Sequence, residues 1–366
     1  MPFRPDKPVR VQPYFGYRSD SRLVLSARAL RSADPRFEAK GRWQAFRTML
    51  SQFASHEEIG VRVTLEYESA SGTVHREHGE TDTEGFVHFD LDLPAEPLPE
   101  RTAWDVVALK WENAEGPRSI EGYVLAPSRK AGIAVISDID DTIIETGITG
   151  NFRSVLRNWN RVLAQMPEER LHVPGADAFY GALGGGRVGH DTPEARGEQL
   201  PATHRPFFYV SSSPWNLFSY LVAFKRQRGL PLGPIKLRDW GLDRDTFGSS
   251  SHGSHKREAI DSILELYPDM RFALIGDDTQ GDLTAFGKIA VEMPERIAAV
   301  FIRQAGEALS AEEEAAREAI REAGVPLWMG DDYSTGEAFL AEAGLAHDAD
   351  AKAVVETVEK RDVPAA

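Results

Sequence analysis

The chain has 366 residues, and at about 150 residues per domain that length suits two or three domains. Hydrophobic residues make up 42% and charged residues 27%, the balance of an ordinary globular chain, which excludes disorder throughout. A net charge of −15 excludes nucleic acid or anionic membrane as whole-surface partners, and the lack of cysteine excludes disulfides, thiol nucleophiles and cysteine-bound zinc.

The N-terminal MPFRPDKPVR carries basic residues with no apolar stretch behind them and does not read as a secretory signal. No run of about 20 apolar residues is present to cross a bilayer. These features point to the cytoplasm, with peripheral membrane contact at most. From residue 10 to about 130 the pattern is strand-like. Val61, Val63, Leu65 and Tyr67 alternate with polar positions, as do Val87, Phe89, Leu91 and Leu93. Thr81–Gly85 between them predicts a turn closed by a glycine with positive φ. Arg22–Leu30, Asp105–Trp111 and Gly122–Leu125 predict further strands, and Arg42–Phe53 a helix. Short strands separated by turns favour a β-sandwich-like N-terminal domain over residues 1–128. Its acids and histidines fall on turns and alternating strand faces, so it reads as a packing or interaction module.

Pro127–Lys130 predicts the boundary. Ala131–Ser137 is apolar without alternation, as a strand buried on both faces of a parallel sheet should be. Phe207–Val210, Phe272–Ile275 and Ala298–Ile302 repeat that texture. Helical patterns lie between or beside them at Phe152–Gln165, Trp215–Arg228, Lys256–Tyr267 and Leu283–Ala290. Strands alternating with helices predict a doubly wound α/β domain over residues 129–350. The segment after Ile302 continues in helix, opened by a Ser310–Glu313 capping box and stopped near Gly324. Gly184–His204 predicts a polar loop, and residues 351–366 a patternless tail.

Chemistry concentrates at strand ends. Asp138, Asp140 and Asp141 directly follow the Ala131 strand, and ligands of open parallel sheets bind outside the strands' carboxyl ends. Three acids in four positions repel one another, and a bound cation relieves that. Asp277, Asp278 and Asp282 follow the Phe272 strand in the same way. Two such clusters make an all-oxygen site suited to Mg²⁺. Ser211 and Ser212 stand between a strand and a helix, where hydroxyls and free N–H groups attract phosphate, with Ser213 as N-cap and Pro214 at the first helical position. Lys256, placed at a helix start upstream of the second acid cluster, would neutralise a phosphoryl group or a nucleophile.

These elements in this order resemble the phosphatase branch of the haloacid dehalogenase-like superfamily. The resemblance implies a parallel α/β fold with a small helical cap, here about residues 150–205. It implies Asp138 as nucleophile, Asp140 as general acid and then base, Thr142 and Ser211 (or Ser212) at the phosphate, and Lys256 as the charge-neutralising cation. Asp277, with Asp278 or Asp282, would complete the Mg²⁺ site begun by Asp138 and Asp140. SDIDDTI, YVSSSPWNL, Gly229–Gly241, HKREAI, LIGDDTQGDL and MPERIAAVFIRQ are more specifically similar to the actin-patch-protein type of phosphatidate phosphatase, over roughly residues 130–345. Tyr14–Leu30 is similar to the β-domain of bacterial relatives. The implied reaction is Mg²⁺-dependent hydrolysis of phosphatidate to diacylglycerol and phosphate. Two departures stand out: Gly184–His204 resembles an insertion near the active-site entrance, and the protein-contact tail of the fungal members is not evident.

Arg153, Arg157 and Arg161 fall on one face of the helix after the nucleophile loop, where a cap would meet an anionic, partly apolar substrate; the same spacing also suits a solvated basic face. Two alternatives stay open. One is the same chemistry on a small soluble phosphate ester; the other is a non-catalytic metal-holding protein whose β module recruits a partner.

Overall fold

The computed structural model describes residues 7–31, 56–139, 142–143, 173, 175–186, 200–238, 250–279, 281–304 and 308–346. The expected helices at Arg42–Phe53 and Phe152–Gln165, the three arginines of the latter, residue Asp140, most of the Gly184–His204 loop and the last residues lie outside that set.

The first part of the chain builds a nine-stranded sheet among the described residues. Its strands are β1 (Val9–Pro13), β2 (Gly16–Arg18), β3 (Arg22–Arg31), β4 (His56–Glu57), β5 (Arg62–Glu68), β6 (Val74–Glu80), β7 (Phe86–Asp92), β8 (Ala103–Asn113) and β9 (Gly116–Ala126). β3 is long enough to pair with β1, β2, β4 and β7, while β9, β8, β5 and β6 extend the sheet from β2. The alternation read in the sequence sets the faces. Leu23 and Leu25 of β3, Val63 and Leu65 of β5, Phe89 of β7 and Leu109 of β8 all enter one core. Strands from both ends of the pairing order thus share one interior.

One correction belongs here. The Thr81–Gly85 turn does not join β5 to β7 directly, because β6 intervenes as the antiparallel partner of β5. β6 reads Val-His-Arg-Glu-His-Gly-Glu and alternates between exposed and half-buried, so no apolar period marked it.

The second part builds six parallel strands in the order β12-β11-β10-β13-β14-β15. They are β10 (Ile133–Asp138), β11 (Phe207–Pro214), β12 (Ile235–Arg238), β13 (Arg271–Asp277), β14 (Ile297–Arg303) and β15 (Leu327–Gly330). Helices α1 (Ala176–Leu183), α2 (Phe218–Arg228), α3 (Ser250–Leu266), α4 (Asp282–Glu292), α5 (Ala311–Glu322) and α6 (Ser334–Glu342) cover both faces. Phe179 and Tyr180 of α1, Leu221 of α2 and Leu340 of α6 pack on Val135, Tyr209, Ile275 and Phe301. Ile263 of α3, Phe286 of α4 and Ile320 of α5 pack on Ile136, Phe208, Leu274 and Ile302. Successive strand residues alternate between these two layers, which is why the strands read as unbroken apolar runs. In chain order the strands lie 3-2-1-4-5-6, so the sequence of crossovers reverses between β10 and β13.

Four expectations change. β12, β15 and α1 were not marked by the sequence pattern, and β15 breaks what read as continuous helix after Ile302. Ser213 does not cap a helix: β11 runs on to Pro214, a single 3₁₀ turn Trp215–Leu217 follows, and α2 starts at Phe218 without a side-chain cap. Lys256 is not at a helix start, because α3 begins six residues earlier at Ser250. The Ser310 capping box is present, with the Ser310 hydroxyl accepting from Glu313 N.

The two sheets pack on each other through aromatic residues. Tyr14 packs tilted at 4.4 Å from Trp215 and edge-on at 4.9 Å from Phe218, and Tyr17 meets Phe208 edge-on at 5.6 Å. Polar ties close the seam. Arg28 Nη1 donates to Asn216 Oδ1 (2.9 Å), Tyr267 OH to Arg18 O (3.0 Å) and Thr102 Oγ1 to His204 O (3.0 Å).

Candidate active site

β10 and β13 are neighbours, and both end in aspartate: Asp138 and Asp277 are their last residues. The crevice at such a reversal is where an open parallel sheet leaves room for a ligand, since neighbouring connections turn away to opposite faces. Asp282 joins them from the first residue of α4, brought back by a short turn whose Gly281 has φ 79°. Gly276 allows the approach. A Cβ there would stand 2.5 Å from Asp282 Oδ2 and 2.6 Å from Asp282 Cβ. Carboxylate oxygens of Asp138, Asp277 and Asp282 lie within 4.8 Å of one another, and all three residues are buried.

Lys256 reaches the cluster from the second turn of α3. Its Nζ is 2.9 Å from Asp138 Oδ1 and 2.5 Å from Asp282 Oδ1, and the side chain is only 2% exposed. Burial alone would pull its pKa down, but the charges of Asp138, Asp282 and Asp277 outweigh that and hold it above the ordinary lysine value. The ammonium is therefore a fixed positive charge rather than a proton donor near neutrality. Burial and the neighbouring Asp282 push the Asp277 carboxyl up to about 7, against the opposing pull of Lys256.

Thr142 closes the near side. Its hydroxyl lies 3.4 Å from Asp138 Oδ2 and 3.2 Å from Asp277 Oδ2, one proton shared between two carboxylates. Asp277 Oδ1 accepts from both Thr279 N and Thr279 Oγ1 at 2.6 Å, which fixes its rotamer. Asp282 Oδ2 accepts from Asp277 N at 3.3 Å.

Of the residues singled out in the sequence, the structure therefore gathers Asp138, Thr142, Lys256, Asp277 and Asp282. Asp278 is buried on the strand end, and its backbone N–H is bound to Arg303 O at 3.1 Å; it is not one of the three converging acids. Ser211 sits on β11 one residue beyond Val210, which pairs with Asp138, and its hydroxyl accepts from Ser213 N at 3.0 Å. The Ser212 side chain and Asp140 lie outside the described set. Sequence reasoning missed Tyr180 and Tyr333, buried behind the Asp138 loop. Neither stands in an acidic or glycine-rich motif, and no local pattern marks them.

Three buried acids facing one lysine leave surplus negative charge in the crevice. Oxygen-only donors in that state suit a hard divalent cation. An acid held by lysine at a strand end can also serve as a nucleophile toward phosphorus or carbon.

Fold and crevice together define a doubly wound α/β protein with a carboxylate–lysine centre at the reversal point of its parallel sheet. Residues 133–304 match a family model described as Phosphatidate phosphatase APP1, catalytic domain. Among curated proteins the chain is similar to Phosphatidate phosphatase APP1 of Saccharomyces cerevisiae. The two are 32% identical over 179 residues, which are 49% of this chain and 27% of the yeast protein. It is also similar to an uncharacterized protein of Schizosaccharomyces pombe, 25% identical over 227 residues, 61% of this chain and 34% of that one. The chain thus spans about a third or less of the length of these relatives. Against solved structures, a Bifidobacterium dentium β-glucuronidase aligns over 89% of this chain and 61% of its own at 8% identity, but its TM-score of 0.23 defines no common fold.

Proposed function

We propose that the chain is a Mg²⁺-dependent phosphomonoester phosphatase that works through an aspartyl-phosphate on Asp138, with phosphatidate as substrate and diacylglycerol and phosphate as products. The observation that carries this reading is Asp138 itself, at the end of β10, 2.9 Å from the Lys256 ammonium and within 4.8 Å of two further acids. The match of residues 133–304 to the phosphatidate phosphatase family model supports the phosphatidate assignment. In this reading the second sheet with its helices (residues 129–350) is a haloacid-dehalogenase-like phosphatase domain, residues about 150–205 its cap and residues 1–128 a β-sandwich-like accessory domain. The enzyme works in the cytoplasm and meets membranes only peripherally.

The steps balance as follows. A carboxylate oxygen of Asp138 attacks phosphorus while the bond to the ester oxygen breaks, and Asp140 delivers a proton to the departing alcohol. Water then attacks phosphorus, Asp140 takes its proton, and the bond between phosphorus and Asp138 breaks to release phosphate. Lys256, held by Asp138 and Asp282, offsets the charge on the phosphoryl oxygens, and the Ser211 hydroxyl and nearby N–H groups of β11 orient them. Asp138, Asp277 and Asp282 are the described residues that would hold Mg²⁺, with Asp140 completing the set; the three described acids are buried and offer only oxygen, which fits that ion. Bound there, Mg²⁺ supplies charge neutralisation at the phosphoryl group.

The test is a phosphate-release screen with and without Mg²⁺, comparing phosphatidate in mixed micelles with sugar and nucleotide phosphates. Asp138→Asn should lower turnover by about 10³-fold or more while leaving the thermal unfolding transition in place. Turnover of Asp138→Asn equal to that of the parent would remove the mechanism. Hydrolysis of sugar or nucleotide phosphates but not phosphatidate would leave the mechanism and overturn the lipid substrate.

A further inference from the structure

The loop that carries Asp138 is tied at both ends to two tyrosines from outside it. At its start, Ser137 Oγ donates to Asp138 O at 2.6 Å and meets Tyr180 OH at 2.8 Å. At its far end, Tyr333 OH donates to Thr142 O at 3.3 Å. Tyr180 comes from α1 and Tyr333 from the residue just before α6, so two separate helices reach the same loop. Both side chains are fully buried, and the two phenol groups also meet each other. Packing holds them in place. The Tyr333 ring stacks on Phe179 at 4.8 Å and on Trp328 at 5.7 Å, and Tyr180 stacks on Phe207 at 5.7 Å. Gly336 of α6 lies so close to Phe179 that a Cβ there would stand 3.0 Å from its ring.

A fold needs no hydroxyl at either position for packing, since phenylalanine would fill the same volume. A buried hydroxyl instead carries a desolvation cost that is offset only if it makes its bond. Here the Tyr180 hydroxyl meets the Ser137 side chain, the Tyr333 hydroxyl meets the Thr142 carbonyl, and the two hydroxyls meet each other.

We propose that Tyr180 and Tyr333 are positioning residues for the Asp138 loop, and that α6, beyond the residues that match the family model, is part of the working site. The proposal rests on the phosphatase reading only for its activity readout. The tyrosines touch no reacting atom. They hold Ser137 and Thr142 so that the Asp138 carboxylate and the Thr142 hydroxyl keep their places beside Asp277, and small displacements of a nucleophile are costly in rate.

The experiment uses the full chain with Tyr180→Phe, Tyr333→Phe and, at the other end of the first bond, Ser137→Ala. Tyr209→Phe is the control: its hydroxyl donates to Pro231 O at 2.7 Å, so the variant loses a bond to another segment while the backbone pairing of Tyr209 with Ser137 is kept. Two quantities are read for each: kcat and KM on the best soluble phosphate ester, and the Mg²⁺ concentration giving half of the ion's maximal rise in Tm. The expected result for Tyr180→Phe and Tyr333→Phe is a kcat lower by about tenfold or more with KM within about twofold. The Mg²⁺ midpoint should rise about tenfold, the scale of losing a group that orients a metal ligand. Tyr209→Phe should lose stability and keep both. Tyr180→Phe combined with Ser137→Ala should cost no more than Ser137→Ala alone, because Ser137→Ala already removes the bond to Tyr180 together with that to Asp138 O. Parent values of kcat and of the Mg²⁺ midpoint in both tyrosine variants would overturn the proposal while leaving the phosphatase reading intact. If the parent hydrolyses no ester but the midpoint still moves, the positioning stands and the phosphatase reading falls. Should a tyrosine variant not fold, Ser137→Ala decides alone on the same two readouts.

Discussion

Lys225 is 1% exposed and has no hydrogen-bond partner at Nζ among the described residues; the nitrogen stands 3.4 Å from the centroid of the Tyr209 ring. Burial holds its pKa well below 10.5. The folded state therefore carries fewer protons than the unfolded chain between that depressed value and 10.5, so unfolding takes up a proton. Stability from this group is full above 10.5 and is lost as pH falls through the window. Lys225→Met should raise stability at pH 7 by about 1–3 kcal/mol, the cost of a buried polar group without a partner. It should also flatten the rise of Tm between pH 7 and 10, which a Tm series over that range checks; an unchanged slope would contradict it. At this scale the acids were legible because three charges in four positions after an apolar strand have few structural uses. Lys256 was legible as a residue but not as a place, since its role depends on two helical turns that only α3 supplies. Tyr180 and Tyr333 were not legible at all. A tyrosine in an aromatic core looks the same whether its hydroxyl meets a distant loop or not.

Gly276 shows how elements set the site. It ends the apolar run of β13 next to Asp277, and its missing Cβ lets the start of α4 fold back against the strand. Gly276→Ala should push Asp282 away from Lys256, cost about 1–3 kcal/mol of stability and lower turnover more than any effect on KM. A crystal structure of the variant with Asp282 unmoved, or parent kinetics, would refute this. Elements with a strong pattern were legible: β3, β5, β7 and the parallel strands β10, β11, β13 and β14 stand where their apolar patterns put them, within a few residues. β6 escaped because its two faces are both polar enough to meet solvent. β12 (Ile-Lys-Leu-Arg) and β15 (Leu-Trp-Met-Gly) escaped because charged residues interrupt the first and glycine closes the second after three residues, so neither shows an unbroken apolar run. The Ser213 cap failed for a different reason. The serines satisfied the local preference for a helix start, but pairing of β11 with β12 carries the strand on to Pro214.

On the scale of the molecule, the first sheet leans on the segment that follows the serines. Tyr14, 3% exposed, packs against Trp215, while Arg28 spends its three nitrogens on Glu84 O, Asn216 Oδ1 and Glu57 Oε1. Tyr14→Ala should cost about 3 kcal/mol, as removal of a buried aromatic does, and should speed protease cleavage between the sheets, with Tyr14→Phe close to the parent. Tm and limited proteolysis measure both; an unaltered Tm would show that the seam is held elsewhere. What the chain determines by itself is whatever can be written in local periodicity and local charge: two textures, one alternating and one continuously apolar, and acids placed just after buried strands. What the tertiary structure alone decides is which ends meet. Strands 138 residues apart in the chain become neighbours at the reversal between β10 and β13, so Asp138, Asp277, Asp282 and Lys256 share one crevice. Nearest-neighbour preferences carry no information about such pairings, because they are settled by burying both faces of one sheet at once.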